Sequence, residues 1–200
     1  MLKHYVCITP DTVSLNGKPL EHQENATALL TELYRSHIGD YPKFFKMDTL
    51  SKLGLVASEL LLQDENCRRF EPREDRAVVL FNKNASLQAD TNYQATIQDA
   101  EQFFPSPAAF VYTLPNIVTG EIAIRNKFFG ETSFIVMDDF CPKAMARELF
   151  NAFQDPVTQS LLGGWLDCSD EHHFDARVFL LEKGQFNQIE DLEKEISKLS

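Results

Sequence analysis

The sequence predicts an α/β domain in which helices cover a mixed sheet of about five strands. Three observations carry this. Residues 76–81 (RAVVLF) and 132–137 (TSFIVM) are unbroken apolar runs of strand length, the pattern of strands covered on both faces. Segments with apolar residues at helical spacing separate them. The last two apolar runs, 163–168 (GGWLDC) and 176–181 (ARVFLL), flank the short acidic turn 169–175 and read as a hairpin. Alternation that closes on a hairpin gives a layered α/β domain with a mixed sheet.

The elements follow in order. Residues 4–9 form a first strand, and Asn16-Gly17 marks a tight turn inside a hairpin arm, VSLNGKPL. Residues 25–38 form a helix with Asn25 at its N-cap, Leu29, Leu30, Leu33 and Tyr34 at apolar spacing, and a stop at Gly39. Residues 43–62 read as the strongest helix of the N-terminal half, burying Phe45, Leu53, Val56, Leu60 and Leu61. A charged surface loop, 64–75, leads into RAVVLF. The polar stretch 82–92 runs into a helix over 85–100, and FFPSP (103–107) is a constrained linker.

The chain is organised around residues 110–140. Pro115 suits a first helical turn, because its missing N–H would be unpaired there anyway. Leu114, Ile117, Val118, Ile122 and Phe128 follow near helical spacing, and Gly130 ends the helix. TSFIVM is next, then Asp138-Asp139 as an N-cap for a helix opened by Pro142. That helix places Met145, Ala146, Leu149, Phe150 and Phe153 on one face. Residues 187–199 form a terminal helix. Residues 1–200 are expected to form one domain.

Composition narrows the function. The chain has 200 residues, 44% of them hydrophobic, and sixteen phenylalanines. So much Phe fits either a large private core or a surface covered by a partner. A net charge of -11 argues against nucleic acid and anionic membrane as partners. No apolar stretch is long enough for a membrane span, and no signal peptide is evident, so the expected location is cytoplasmic. Cys7, Cys67, Cys141 and Cys168 lack CxxC spacing and read as reduced thiols.

Within residues 40–183 the order and spacing of elements resemble the N-terminal half of the β-ketoacyl synthases, in the thiolase-like fold. The resemblance rests on a proline-asparagine element at Asn116, a glycine four residues on at Gly120, another ten further at Gly130, and a strand leading to a turn before a helix. In that family the strand leads to a nucleophilic cysteine nine residues after the second glycine. Here that position is Asp139, and a carboxylate cannot carry an acyl chain through carbon–carbon bond formation. Cys141 lies two residues later, between Phe140 and Pro142, and is the one other candidate nucleophile. The family's two histidines belong to a second half that this chain does not match. His172-His173 falls in an acidic turn, and the loop 82–86 lacks the family's glycines.

The resemblance therefore implies a thiolase-like half without its catalytic residues. The implied role is that of a chain-length-factor-like subunit paired with a full-length β-ketoacyl synthase in polyketide, aryl polyene or fatty-acid-like biosynthesis. The alternatives are a stand-alone homodimeric acyl-binding or interaction protein, and an enzyme using Cys141 or Asp139 for hydrolysis or acyl transfer. Leu114, Asn116, Ile117, Phe128, Phe129, Phe134 and Val136 are the candidates for a partner interface or tunnel wall. Acyl carrier protein would be contacted only indirectly, since both proteins are acidic. No cofactor or metal is implied. Asp138-Asp139 lacks metal-ligand companions at useful spacing, no phosphate-binding glycine loop is present, and Trp165 reads as core.

Overall fold

The computed structural model describes residues 1–101 and 103–199, with the backbone alone at 64 and 66–68. Its strands are β1 (Tyr5–Ile8), β2 (Val13–Leu15), β3 (Lys18–Pro19), β4 (Arg76–Asn82), β5 (Thr132–Val136), β6 (Ser160–Cys168) and β7 (Phe174–Glu182). Its helices are α1 (Ala26–His37), α2 (Thr49–Leu62), α3 (Leu87–Ala95), α4 (Pro107–Val111), α5 (Ile117–Asn126), α6 (Pro142–Ala152) and α7 (Ile189–Ser197).

All seven strands form one mixed sheet in the order β3-β2-β1-β7-β6-β4-β5, which corrects the expected five. The extra strands come from the N-terminal arm. Asn16 and Gly17 both take positive φ (53° and 77°), and the Asn16 side chain accepts a hydrogen bond from the Tyr5 N–H at 2.9 Å. This turn folds β3 back onto β2, which in turn pairs with β1. Strands β5, β4 and β6 are parallel neighbours, and the rest of the sheet is antiparallel.

Two cores lie on the two sheet faces. Val78 and Leu80 of β4 point to the face covered by α1, α2 and α5, whereas Ala77, Val79 and Phe81 point to the face covered by α6 and α7. This alternation with apolar residues on both sides explains why β4 reads as a continuous hydrophobic run.

The expected long helix over 43–62 is two elements. Pro42–Lys46 forms a 3-10 turn, Met47 is extended, and α2 starts afresh with Asp48 accepting from the Ser51 N–H at 3.1 Å. The tighter turn changes the face. Phe44, not Phe45, is buried, stacked on Tyr34 at 4.2 Å between ring centroids, while Phe45 is exposed. The helix expected over 85–100 is the shorter α3. The charged 64–75 segment carries a 3-10 turn, Gln63–Phe70.

Helix α2 is buried along nearly its whole length, including Glu59. The Glu59 carboxylate pairs with Arg69, and with Arg125 of α5 at 3.3 and 3.4 Å. Arg125 also reaches Asp40 at 2.5 Å and lies over the Tyr41 and Phe70 rings. Arg69 donates to Asn126 of α5 at 3.2 Å. Buried charges are tolerated only with such partners, so α5 is held in one place against α2.

Residues 110–140 differ from expectation in three places. Pro115 lies in the turn ahead of α5, which begins at Ile117. The helix ends at Lys127, which takes the left-handed conformation (φ 55°), not at Gly130. Gly130 is required for another reason: a Cβ there would lie 2.3 Å from the Arg76 carbonyl oxygen. The chain squeezes past the start of β4, after the Arg73 N–H has donated to the Lys127 carbonyl and the Phe129 N–H to the Arg73 carbonyl. Finally, β5 packs Phe134 on one face and Ile135 on the other, but both are only half-buried. It pairs with β4 alone and forms the edge of the sheet.

Two outcomes test this account. Gly130→Ala forces a methyl group against backbone, so its urea midpoint should fall by the equivalent of roughly 1–3 kcal/mol with an unchanged m-value. An unchanged midpoint would show that the crossing is loose. Burial pushes the Asp48 carboxyl up, against the hydrogen bonds from Ser51 that pull it down. The folded state therefore holds this proton more tightly than the unfolded chain, and ionised Asp48 costs stability as pH rises from about 3.8 through the raised folded value. Asn can keep the cap without the charge. The stability of Asp48→Asn relative to wild type should thus increase across that window, measured as denaturant midpoints from acid to neutral pH. A flat difference would refute it.

Candidate functional site

Parallel strands in α/β proteins present their chemistry at their carboxyl ends. Here β4, β5 and β6 end side by side, and polar residues follow each directly. Asp167 at the end of β6 organises the loop after β4. It accepts from the N–H groups of Lys83 and Asn84 at 3.0 and 2.9 Å and from the Asn84 side chain at 2.6 Å. Asn82, fully buried, closes the same loop by donating to the Ala85 carbonyl at 2.9 Å and accepting from the Ala85 N–H at 3.2 Å. Ala85 consequently takes φ 49°, a conformation that glycine adopts without strain. The loop expected to be unusual for lacking glycine keeps a glycine-like backbone through an asparagine clamp.

The turn after β5 is equally constrained. The Met137 N–H donates to the Asn82 carbonyl at 2.8 Å. Phe140 packs edge-on against Trp165 at 5.7 Å, beneath the Arg177 guanidinium at 4.6 Å. Trp165 is core, as expected. Between these anchors Asp139 points into solvent, 81% exposed, and pairs with Lys83 at 2.7 Å. Asp139 raises the Lys83 ammonium above its ordinary value through that hydrogen bond and its charge. The aspartate pair is therefore not the cap of α6. Cys141 occupies the cap position, exposed, with its backbone carbonyl accepting from the Met145 N–H at 3.0 Å and no side-chain capping bond. Phe140 is locked onto Trp165, so Cys141 cannot slide back into the place held by Asp139.

His172 and His173 sit on the exposed β6–β7 turn. The His173 ring meets Asp170 at 2.9 Å, and the His172 N–H donates to the same carboxylate at 2.8 Å. These contacts are internal to the turn. Cys7, Cys141 and Cys168 are free thiols, and the Cys67 side chain lies outside the described residues. Burial, reinforced by the charge of Asp48, pushes the Cys168 thiol up to about 12.

The interface candidates separate into three groups. Leu114, Asn116, Phe129 and Val136 are exposed, Phe129 at 68% and Val136 at 52%. Ile117 and Phe134 are half-buried against the α2 face. Phe128 is 5% exposed and lies beneath the Arg76 guanidinium at 5.3 Å, so its assignment to an interface is corrected: it is a core residue. Ile124 of α5, which the sequence reading passed over, is also exposed. Lys83 was missed as well. The available signal was positional, since Asn82-Lys83 follows one parallel strand as Asp138-Asp139 follows its neighbour.

No protein-family profile matches the sequence, and no curated protein does. Solved structures do match. A chain of the ishigamide ketosynthase/chain length factor superposes with a TM-score of 0.67 at 16% identity, over 94% of this chain and 63% of that one. This chain has the ketosynthase fold. The ketosynthase ApeO in complex with its chain length factor ApeC, from Xenorhabdus doucetiae, gives a TM-score of 0.57 at 15% identity over 92% and 79%. A type II polyketide ketosynthase in complex with its acyl-carrier protein, AntDE:AntF, gives 0.59 at 12% identity over 91% and 62%. At such identities the likeness concerns architecture, and the chain spans less than two thirds of the first and third of these structures. Among the described residues, no helix is long and apolar enough to cross a membrane.

The site's chemistry has a direct readout. Brief iodoacetamide treatment at pH 8 followed by peptide mapping should find Cys141 alkylated and Cys168 intact, because a thiol near 12 has on the order of 10⁻⁴ of its population as thiolate. Early modification of Cys168 would contradict its burial.

Proposed function

We propose that the chain is a ketosynthase-like subunit without acyl-transfer activity of its own, which pairs with an active β-ketoacyl synthase through β5. The observation that carries this is the open edge of β5 beside a strand-end turn bearing Asp139. Backbone direction supports this use of the edge. The Glu131 carbonyl accepts from the Val78 N–H and the Met137 N–H donates to Asn82, both toward β4. By alternation, Thr132, Phe134 and Val136 turn their N–H and C=O groups outward. Such a row is a template for another strand. The other sheet edge is the two-residue β3, blunted by Lys18 and Pro19. β5 has neither lysine nor proline, and exposed Val136 lies at its end.

The absence of acyl transfer rests on the turn. The position that the ketosynthase pattern reserves for its nucleophile holds a solvent-facing carboxylate already paired to Lys83. In this reading α5 and the residues before it border the partner's acyl tunnel, and the physical contribution is to complete a wall and stabilise the active subunit. The fold likeness to ketosynthase and chain-length-factor complexes supports it.

Val136→Pro removes only an outward N–H, a change that an edge strand tolerates. It should abolish co-purification with a co-expressed full-length ketosynthase while leaving the circular dichroism and melting temperature of the isolated chain nearly unchanged. Wild type that ignores the ketosynthase, or a Val136→Pro variant that still binds it, would refute pairing through β5. Incubation with acyl-thioester should leave the isolated chain unlabelled, and a covalent acyl adduct lost in Cys141→Ala would refute the inactive assignment.

A further inference from the structure

The charges that bracket β5 select what can pair with it. Glu131 precedes the strand, and Asp138 and Asp139 follow it, all three exposed. Lys83 offsets Asp139. Among the described residues, neither Glu131 nor Asp138 has an ion-pair partner; Glu131 only accepts from the Ser133 hydroxyl at 2.7 Å. The other cations within four residues, Lys127 and Lys143, belong to the end of α5 and the first turn of α6.

Consider two copies joined edge to edge. The outward groups of Thr132, Phe134 and Val136 are all used when the strands run antiparallel and centre on Phe134, so that Thr132 faces Val136 of the mate. Glu131 then lies opposite Met137 of the mate, where the strand has ended and the mate's chain bends through Asp138 and Asp139. The same encounter repeats at the other end by symmetry. Each end of a self-paired ladder would gather three carboxylates from two chains, on top of a net charge of -11 per chain. Like charges in a sheet ladder are destabilising, and rejecting a wrong partner this way is a common device of specific interfaces.

We infer that β5 is built to reject a second copy of this chain and to accept a different chain whose pairing strand is apolar and flanked at both ends by lysine or arginine. This rests on the reading of β5 as the pairing strand. The carboxylates at each end would form cross-strand ion pairs with that partner, fixing register and orientation as well as choice.

The test uses the chain as its own surrogate partner. The double variant Glu131→Lys/Asp138→Lys carries the opposite charges at surface positions outside the core. Sedimentation velocity is run on wild type, on the double variant, and on their equimolar mixture, each at low and high salt. Each protein alone should stay monomeric, and the mixture should form a 1:1 dimer that weakens roughly tenfold at high salt. Val136→Pro in either component should abolish it. A mixture that stays monomeric would overturn the inference. If wild type dimerises alone, and Val136→Pro abolishes that dimer, the charge selection is wrong while strand pairing stands. If the mixed dimer survives Val136→Pro, the pairing reading itself fails.

Discussion

The position of almost everything near the sheet edge depends on one buried charge. Glu59 lies on a helix that is enclosed on nearly every side, and its carboxylate would be untenable there alone. Arg125 of α5 and Arg69 of the preceding 3-10 turn neutralise it, and the flat guanidinium of Arg125 is itself stacked between Tyr41 and Phe70. The cluster therefore ties α2 to α5 and to the segment that enters β4. Once α5 is placed, its left-handed end at Lys127 and the Gly130 crossing deliver the chain to β5 in one register against β4. The edge strand inherits its position from an ion cluster on the far side of the helix that precedes it.

That edge differs from the opposite one in a physically meaningful way. β3 is short and carries residues that discourage pairing, whereas β5 leaves outward backbone groups and apolar side chains open. Half-burial of Phe134 and exposure of Phe129 and Val136 make the surface suitable for covering without making the isolated fold depend on it. The acidic residues Glu131, Asp138 and Asp139 flank it within the same nine-residue stretch.

The strand-end turns are held by side chains that fix the backbone. Asn82 reproduces the backbone that a glycine would give at Ala85, and Asp167 ties down the next two residues. Phe140, clamped between Trp165 and Arg177, holds the turn after β5. The scaffold around residue 139 is rigid, and what stands on it is a carboxylate in an ion pair.

The α/β class, the buried β4, the closing hairpin and the asparagine-glycine turn were legible from local pattern, because covered strands and tight turns leave signatures within a few residues. The spacing from Asn116 to Asp139 was legible too, since it needs only counting. Other features were not. A continuous apolar run at residues 132–137 looks the same whether a strand is central or awaits a partner at an edge, and only the sheet order distinguishes them. Phe44 and Phe45 are adjacent and alike, so a 3-10 turn had to decide which one is buried. Gly130 is needed for a crossing and not as the helix stop, because its clash with the Arg76 carbonyl depends on a strand some fifty residues earlier. Phe128 and Phe129 likewise divide between core and surface according to an arginine on that strand. Sequence by itself determined the layers and the position of Asp139 relative to Asn116 and Gly130, which are properties of order and spacing. Tertiary structure alone decided which edge is open, which charges flank it and which aromatic rings remain exposed, because each is set by contacts between segments far apart in the chain.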